Sequence, residues 1–387
     1  MNILFWCSLG LILYTLLGYP FFLFFLVKLV RESEENLDGI QSYYPKVSFI
    51  VAAYNEEAFI GDKIENTLQL DYPHDKLEMI VVSDGSTDRT DEIVKSYEKY
   101  GVRLHRIPKQ EGKVAGHRSV LKIATGEIIV FSDATTMYER SAIKDLIKPF
   151  AEADIGCVGG ALKYKKPTQS IHSVNEQPYW SYETFIRKLE SQVDSIPAVS
   201  GAIYALRREL YAGFPKYLAD DLINPLHVRR LGYHTIFEPK AVCWDTSSKN
   251  LREEFRKRRR IAAQNVGGLI YMRSLLNPLK YPKFSWILFS HKVLRLVLPF
   301  LLVVLLISGL GAFGHRLAPM VISIMMLFLL GICFTGWFLE LIGKASRVFS
   351  LPLYFVVSNF GVIAGLMEAL IGKQYATWQS ERYPISP

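Results

Sequence analysis

The chain has 387 residues, of which 50% are hydrophobic, and its 45 Lys and Arg against 37 Asp and Glu give a net charge of +8. Its four cysteines, Cys7, Cys157, Cys243 and Cys333, stand far apart, which argues against a disulfide framework and is typical of a reducing compartment. No nucleic-acid-binding motif is present, so we expect no nucleic-acid partner and attribute the positive charge to contact with a membrane surface.

An apolar segment begins the chain. It runs from Leu4 to Leu29 with no charged residue before Lys28, which is about the length needed to cross the hydrocarbon core of a bilayer. A signal peptide is the alternative, but the segment has no basic residues before it, is too long and lacks an evident cleavage site. Residues 1–30 are therefore predicted to form an N-terminal transmembrane helix.

The middle of the chain alternates strand and helix patterns. The predicted strands are Val47–Ala53, Glu78–Ser83, Val102–Ile107 and Glu127–Ser132, and the predicted helices between them end near Leu70, at Tyr100 and at Thr125. Such alternation is typical of an α/β fold with a mainly parallel sheet. We assign this pattern to a catalytic domain over residues 45–248.

Polar side chains follow three of these strands. Asp84 follows the second strand and Asp133 the fourth, while Asn55 and Glu56 follow the first. Each aspartate alone is equally well explained by a turn or a helix N-cap. The carboxyl ends of parallel strands meet at one sheet edge, where ligands bind. Together these groups predict a site for a nucleotide and a divalent cation, Mg²⁺ or Mn²⁺.

The C-terminal part of the chain is apolar again. After a basic amphipathic stretch over 249–284, two membrane spans are predicted at Val293–Gly311 and Pro319–Ile342, and a weaker third at Leu351–Ile371. Small and polar residues recur every three or four positions along the third segment, which places them on one helix face. Such a face suits packing within the bilayer or a helix lying in the interface. Residues 285–372 are therefore predicted to hold transmembrane or interfacial helices.

Basic residues set the orientation of these spans. Lys28 and Arg31 follow the first span, and Lys292 and Arg295 precede the second. Since basic flanks favour the cytoplasmic side, we expect the 45–284 region in the cytoplasm and the N-terminus outside. The prediction is a multi-pass protein of the cell membrane with a cytoplasmic catalytic domain.

Several segments, in the same order, resemble the motifs of family 2 glycosyltransferases. They are Val51–Glu56, Val82–Asp88, Gly112–Lys113, Ser132–Thr135, Ser200–Arg208, Leu218–Asp221 and Gly232–Ala241. With its flanking spans, the chain is similar to membrane-embedded hyaluronan, chitin-oligosaccharide and cellulose synthases. The resemblance implies a GT-A nucleotide-sugar-binding fold and an inverting reaction.

The resemblance also assigns residues to the donor side of the site. It implies that Asp84 contacts the uracil or uridine of a nucleotide sugar and that Ala52, Tyr54 and Glu56 line the same base and ribose. No glycine-rich phosphate loop is present, so Lys113 and a metal are expected to handle the phosphates.

The remaining assignments concern the metal and the acceptor. Asp133 is the implied metal ligand, Asp221 the implied general base with Asp220 beside it, and Ser200 and Gly201 belong to the acceptor side. An alternative explanation of Asp220 and Asp221 is a helix N-terminus, where acidic residues are favourable.

Two positions depart from the family pattern. The metal motif is usually Asp-x-Asp, and its last position is Thr135 here. The Gln-x-x-Arg-Trp motif of processive enzymes matches Phe255–Gln264, either with Lys257, Arg260 and Ile261 or, one residue earlier, with Arg256, Arg259 and Arg260. Arg259 and Arg260 are thus candidates for the diphosphate, and the absent tryptophan leaves processivity open. A basic helix touching anionic lipid is the alternative.

The tail over 373–387 resembles the Trp-x-Thr-x-Arg gating segment of these synthases. Trp378 and Arg382 are the corresponding residues. If the tail reaches the cytoplasmic site, Leu351–Ile371 lies in the interface or re-enters, and if that segment crosses, the tail is outside.

The predicted function is inverting transfer of a sugar from a nucleotide sugar, expected to be a UDP-sugar, to a growing polysaccharide or other glycan. The first alternative is transfer of a single sugar to a polyprenyl-phosphate or another lipid acceptor. The second is an inactive scaffold within an envelope polysaccharide assembly. The expected partners are the donor, the acceptor, the lipid bilayer and other envelope-biosynthesis proteins.

Overall fold

One mixed sheet of eight strands lies at the centre of the part of the chain that the structure describes. This computed structural model describes residues 1–30, 43–164, 176–245, 251–312, 317–342, 344 and 347–375. The strands are β1 (Val47–Ala53), β2 (Leu77–Asp84), β3 (Val102–Ile107), β4 (Ile128–Asp133), β5 (Met137–Tyr138), β6 (Ile155–Tyr164), β7 (Ile203–Arg207) and β8 (His234–Asp245). Their order across the sheet is β3-β2-β1-β4-β7-β6-β8-β5.

The first four strands form the parallel half of the sheet. β1 pairs parallel with β2 and with β4, and β2 pairs parallel with β3. β7 then runs antiparallel to β4, and β6 and β8 are parallel to each other. Every residue of β1 is buried, as is typical of a parallel strand covered on both faces. The predicted α/β fold with a mainly parallel sheet is confirmed.

Helices cover the sheet and flank it on both sides. The α-helices within the described residues are α1 (Asn2–Leu13), α2 (Tyr19–Val30), α3 (Ile60–Leu68), α4 (Thr90–Ser96), α5 (Lys113–Val120), α6 (Ala142–Ile147), α7 (Glu176–Val193), α8 (Asp220–Arg230), α9 (Leu251–Tyr271), α10 (Pro282–Leu288), α11 (Leu294–Gly311), α12 (Leu317–Leu341) and α13 (Arg347–Leu370). α4 and α5 end earlier than the sequence predicts. After α4 the chain tightens into a 3₁₀ turn that closes on Gly101 at φ +84°, a conformation that glycine adopts without strain.

Alternate residues of each central strand pack on opposite faces of the sheet. Phe49 joins a core layer with Ile64 of α3, and Ile50 joins the opposite layer with Phe131 and with Val120 of α5. Burial on both faces explains the nearly continuous apolar runs of these strands. It leaves the carboxyl ends of the strands as the polar edge of the sheet.

Four helices in the described part of the chain are long and apolar enough to cross a membrane. By length and composition alone they are Asn2–Leu29, Pro282–Gly311, Leu317–Leu341 and Val348–Leu370. Many large apolar side chains on them are exposed, including Ile3, Leu17, Phe328 and Phe334, as expected for side chains that face lipid. The second helix begins at Pro282, ahead of the predicted boundary at 285, because α10 continues into α11 through a π-helical turn.

The last of these helices, α13, lies along the basic helix α9. A Cβ atom at Gly365 would come within 2.2 Å of the Arg259 carbonyl oxygen, and Gly361 also meets the α9 backbone. The Tyr354 hydroxyl donates a hydrogen bond of 2.8 Å to Glu254 Oε1. The sequence allows this segment to pack within the bilayer or to lie in the interface, and its contact with α9 is compatible with both positions.

We expect Gly365→Leu to push α13 away from α9, because the new side chain has no room against the Arg259 carbonyl. Overpacking of this kind costs about 1–3 kcal/mol, so the thermal unfolding midpoint of the protein in detergent should fall. Gly331→Leu on α12 is the matched control, since a Cβ atom at Gly331 meets nothing within 4 Å. Equal midpoints for the two variants would contradict the close α9–α13 contact.

Candidate active site

The strand register brings the predicted donor-side residues to one sheet edge. Ala52 pairs with Val82 on one side and with Asp133 on the other, so the ends of β1, β2 and β4 lie side by side. Tyr54 and Glu56 continue from β1 into the next loop, and the Glu56 side chain lines the cavity that opens there.

The loop after β1 is tied to the loop after β2. Asn55 has φ +53°, a left-handed conformation that asparagine tolerates better than most residues. Its Oδ1 accepts a hydrogen bond of 2.8 Å from the Thr87 N–H, and its own N–H donates to Ser86 Oγ at 3.1 Å. The Glu56 N–H donates to Thr90 Oγ1 at 2.9 Å. These hydrogen bonds hold the nucleotide-side loops in place.

Asp84 holds the loop that leads into α5. The N–H groups of Glu111 and Gly112 donate to its two carboxylate oxygens, each at 2.8 Å. Gly112 has φ +99°, which only glycine adopts readily. Asp84 is 6% exposed and, like Ala52 and Tyr54, does not line the cavity. The observed role of Asp84 is to position the start of α5.

Lys113, the first residue of α5, joins the two halves of the site. Its Nζ donates to Asp133 Oδ1 at 2.7 Å and to the Gly201 carbonyl at 2.9 Å. Burial alone would lower the pKa of Lys113, but the carboxylates of Asp133, Asp220 and Asp221 raise it above its ordinary value. Lys113 is therefore a permanent cation at the centre of the site.

Gly201 provides the space in which these groups meet. A Cβ atom at Gly201 would lie 3.2 Å from Lys113 Nζ and 3.7 Å from Asp221 Cβ. The preceding residue, Ser200, is buried, and its Oγ accepts a hydrogen bond of 3.4 Å from the Ala202 N–H. The absence of a side chain at Gly201 leaves room for Lys113 and Asp221 on either side of its backbone.

Asp220 and Asp221 occupy the first turn of α8, as the helix N-terminus explanation also predicts. Asp220 is buried, accepts a hydrogen bond of 2.9 Å from the Tyr204 hydroxyl and lies 3.4 Å from His117 Nδ1. Burial alone would raise the pKa of Asp220, but Lys113 and His117 hold it well below its ordinary value. Asp220 is therefore a fixed anion.

The environment of Asp221 is the opposite. Its carboxylate lines the cavity and makes no hydrogen bond or ion pair with the described residues. Burial raises the pKa of Asp221, and the neighbouring Asp220 carboxylate raises it further. Because their pKa values are shifted in opposite directions, Asp220 stays ionised, whereas Asp221 is suited to accept a proton.

The two candidate arginines of α9 are engaged differently. Arg260 interacts electrostatically with Asp221 and Asp133 and makes no hydrogen bond with the described residues. Arg259 instead pairs with Glu368 of α13 at 3.6 Å. This arrangement favours the alignment that has Arg260, with Lys257 and Ile261, in the arginine position of the family motif.

One cavity of about 1330 Å³ contains these groups. It extends from Glu56 and Asp133 past Asp221 to Leu298 in α11. Ten Lys and Arg side chains line it against seven Asp and Glu, a balance that suits an anionic ligand such as a nucleoside diphosphate. The remaining two predicted residues, Trp378 and Arg382, lie outside the described residues.

The donor set fits a divalent cation only if a ligand completes it. Within the described part of the chain, no group of three or more His, Cys, Asp or Glu residues could hold a metal by itself. Asp133 offers a carboxylate whose side chain is 34% exposed, and Thr135 also lines the cavity. Hard cations of this class commonly use one or two carboxylates together with substrate phosphates and water, so Asp133 fits that role.

Sequence reasoning missed two groups that support the carboxylate pair. Tyr204 of β7 and His117 of α5 contact Asp220. His117 lies one helical turn after Lys113, so an i, i+4 comparison along α5 could have predicted a shared direction. Tyr204 carried no comparable signal.

Comparison with known families agrees with the fold. Residues 48–213 match the profile of the family described as Glycosyl transferase family 2. Probable glycosyltransferase YdaM of Bacillus subtilis (strain 168) is 29% identical over 282 residues, which cover 68% of this chain and 66% of that protein. A poly-beta-1,6-N-acetyl-D-glucosamine synthase of Staphylococcus epidermidis is 23% identical over 73% of this chain and 69% of that protein. These matches span about two-thirds of the curated relatives.

A solved structure is similar over nearly the whole chain. It is the mannosyltransferase PcManGT from Pyrobaculum calidifontis in complex with GDP-Man and Mn²⁺. The TM-score is 0.73 and the sequence identity 25%, over 96% of this chain and 100% of that chain. The similarity therefore includes the flanking apolar helices as well as the sheet domain.

Proposed function

We propose that this chain is a membrane-embedded glycosyltransferase similar to those of family 2. It transfers a sugar with inversion from a nucleoside-diphosphate sugar to a hydroxyl of a glycan acceptor. The observation that carries the proposal is the Asp221 carboxylate. It faces the cavity without a hydrogen bond from the described residues, and Gly201 separates it from Lys113. An available base thus lies beside the cations that suit a diphosphate.

The proposed reaction is a single displacement. The acceptor oxygen attacks the anomeric carbon while the bond between that carbon and the diphosphate oxygen breaks. Asp221 takes the hydroxyl proton, and the departing nucleoside diphosphate keeps the electron pair of the broken bond. Attack from the face opposite the leaving group inverts the anomeric configuration. A raised pKa makes Asp221 a better proton acceptor than an ordinary aspartate.

Three side chains are suited to the departing diphosphate. Lys113 and Arg260 carry positive charge into the cavity, where charge stabilisation is stronger than in water. Asp133 would hold Mg²⁺ or Mn²⁺, and a bound cation supplies further positive charge to the phosphate oxygens. The carboxylates of Asp133 and then Asp220 keep Lys113 in its charged state.

The nucleotide and acceptor are chosen by resemblance. We expect a UDP-sugar, with Asp84, Ala52, Tyr54 and Glu56 forming or supporting the nucleoside side, and the GDP-Man of the similar mannosyltransferase structure makes GDP-mannose the competing donor. A growing polysaccharide is the expected acceptor, because a similar curated protein is named a polysaccharide synthase.

Transfer of a single sugar to a lipid acceptor is the second candidate. Ile261 replaces the tryptophan of the processive motif, and the cavity reaches apolar side chains of the membrane helices, including Leu298 and Leu351. These features favour an acceptor with an apolar part. The inactive scaffold has no comparable support, because Lys113, Asp133 and Asp221 line one cavity.

The test is a donor and product assay with the full chain in detergent and added membrane lipids. We expect turnover with one class among UDP-hexoses, UDP-N-acetylhexosamines and GDP-mannose, only with Mg²⁺ or Mn²⁺, and inversion at the anomeric carbon by NMR. Product length separates the two acceptor candidates. Retention of configuration would overturn the direct displacement.

The 45–284 region should be cytoplasmic, because basic residues flank it. Glu98 lies in an exposed 3₁₀ turn of the sheet domain, so Glu98→Cys in a Cys7→Ser background should react with an impermeant thiol reagent only after cells are permeabilised. A cysteine inserted directly after Met1, at the exposed N-terminus, provides a control for the outside. Labelling of position 98 in intact cells would contradict the orientation and the access to cytoplasmic nucleotide sugars.

A further inference from the structure

A second group of charged side chains lies at the membrane end of the catalytic cavity. Its members are Glu183, Arg187 and Glu190 of α7, His291 and Lys292 of the π-helical turn that precedes α11, and Arg295 of α11, and we call them the α7–α11 cluster. All except Glu190 line the cavity. The proposed donor and base chemistry uses none of them.

Hydrogen bonds connect five of the six side chains. Glu183 carboxylate oxygens accept from Arg187 Nε at 3.3 Å and from Arg295 Nη1 at 2.5 Å, and His291 Nε2 lies 2.9 Å from Glu183 Oε1. His291 Nδ1 lies 2.7 Å from Glu190 Oε1. Glu183 and Glu190 are almost fully buried, so this part of the cluster is a rigid structural network.

Lys292 is the exception. Its side chain lines the cavity and makes no hydrogen bond or ion pair with the described residues. The cluster therefore sets three basic side chains, Arg187, Lys292 and Arg295, against the two carboxylates Glu183 and Glu190. A charge removed from water is costly unless it is paired, so this site is complementary to an anion.

The unpaired cation lies near the proposed base. Burial and Asp220 raise the pKa of Asp221, and Lys292 and Arg187 are among the cations that oppose this increase. Both also line the same cavity as Asp221. An anion bound by Lys292 and Arg187 would thus be held close to the acceptor side of the reaction.

Beyond Lys292 the cavity becomes apolar. Leu296 and Leu298 of α11 and Leu16 of the N-terminal helix line this end. Here the π-helical turn Tyr14–Gly18 meets the π-helical turn Phe289–Val293, and the Tyr14 hydroxyl lies 2.8 Å from Ser290 Oγ. Such turns are often found at functional sites. The α7–α11 cluster therefore lies between a polar and an apolar half of the cavity.

We propose that Lys292 and Arg187 bind the phosphate of a lipid acceptor, whose reacting hydroxyl lies at Asp221 and whose apolar chain lies along Leu296 and Leu298. The order of surfaces along the cavity matches such a molecule: a base for the hydroxyl, an unpaired cation for the phosphate, then apolar side chains for the lipid. This inference rests on the second candidate function, transfer to a lipid acceptor, and specifies the phosphate site for that acceptor.

The donor diphosphate is not the ligand that this site suits. Lys113 and Arg260 already provide cations next to Asp133, on the donor side of Asp221. Lys292 belongs to a membrane-spanning helix instead. A second phosphate therefore has its own cation, separate from those of the donor.

Binding of farnesyl phosphate and farnesol to the full chain in uncharged detergent tests the proposal, with UDP and GDP binding in the presence of Mn²⁺ measured in parallel. We expect farnesyl phosphate to bind wild type about tenfold tighter than farnesol, the scale of a charge-assisted contact. Lys292→Gln should remove most of that preference, and Lys292→Arg should keep it. Lys283→Gln is the matched control, because Lys283 is an exposed lysine of α10 outside the cavity.

Each outcome has a defined meaning. An unchanged preference in Lys292→Gln, or none in wild type, would overturn the phosphate site, and inorganic phosphate that binds as tightly as farnesyl phosphate would overturn the lipid part. Nucleotide binding should stay the same in all variants. Wild type that binds farnesyl phosphate but no nucleotide would reject the proposed donor and leave this site intact. If Lys292→Gln does not fold, Lys292→Met removes the same positive charge and places an apolar side chain there instead.

Discussion

Asp221→Asn is expected to lower kcat by about 10²- to 10⁴-fold, the usual cost of losing a general base. Asparagine keeps the shape of the side chain but cannot take the acceptor proton. Donor binding, measured by calorimetry with a non-hydrolysable donor analogue, should change little, because Asp221 faces the cavity on the acceptor side of Gly201. Asp75→Asn, at an exposed position of the sheet domain, is the matched control.

The pH profile provides a second readout of the same residue. Burial and Asp220 raise the pKa of Asp221 to about 6. The base form is present above this pH and is lost as the pH falls through it, so wild-type kcat/KM should decrease on the acid side of pH 6. The asparagine variant should lack this acid limb. If it keeps more than about a tenth of wild-type turnover, Asp221 is not the base and Asp220 becomes the candidate.

Asp133→Ala is expected to reduce turnover by about 10²- to 10³-fold, since metal stabilisation of a leaving group is worth several kcal/mol. The substitution also removes the carboxylate that pairs with Lys113 at 2.7 Å. Measurements with and without metal therefore separate the loss of this ion pair from the loss of a metal ligand. Donor binding should weaken only when Mg²⁺ or Mn²⁺ is present, as measured by titration with and without chelator.

Asp154→Ala, at an exposed position between α6 and β6, controls for the loss of a surface carboxylate and should behave as wild type. Equal weakening of donor binding by Asp133→Ala with and without metal would show that Asp133 acts through Lys113. Lys113→Met would then be expected to reproduce the defect.

Local sequence pattern was sufficient to predict the sheet edge and its polar residues. Parallel strands are buried on both faces, so their sequences are nearly continuous apolar segments. Each apolar segment ends where its strand reaches the polar edge of the sheet. For this reason Asp133 and the residues after β1 could be placed together without coordinates. The apolar spans were predicted for the same kind of reason, because crossing a bilayer requires a minimum apolar length. The similar solved structure and the family profile agree with this architecture.

The use of each charged side chain depended on contacts between distant segments. Asp84 stays a predicted nucleotide contact, and only the fold shows that its two oxygens accept hydrogen bonds from N–H groups 27 and 28 positions later. Arg259 and Arg260 are adjacent in sequence, and the packing of α9 against α13 separates their roles. A motif identifies which residue types are present. The rotation of a helix relative to the elements packed against it determines which way each side chain points.

The α7–α11 cluster shows the same limit most clearly. Lys292 was recognised from the sequence only as a basic residue that flanks a predicted membrane span. The neighbouring His291 lies within hydrogen-bond distance of Glu183, which is 108 positions earlier in the chain. No sequence periodicity or motif connects residues that far apart. Charge and hydropathy along the chain were enough to predict that a cation lies near the membrane. The fold alone determined that this cation faces the cavity without a hydrogen-bond or ion-pair partner among the described residues, because pairing among buried charges depends on which helices pack together.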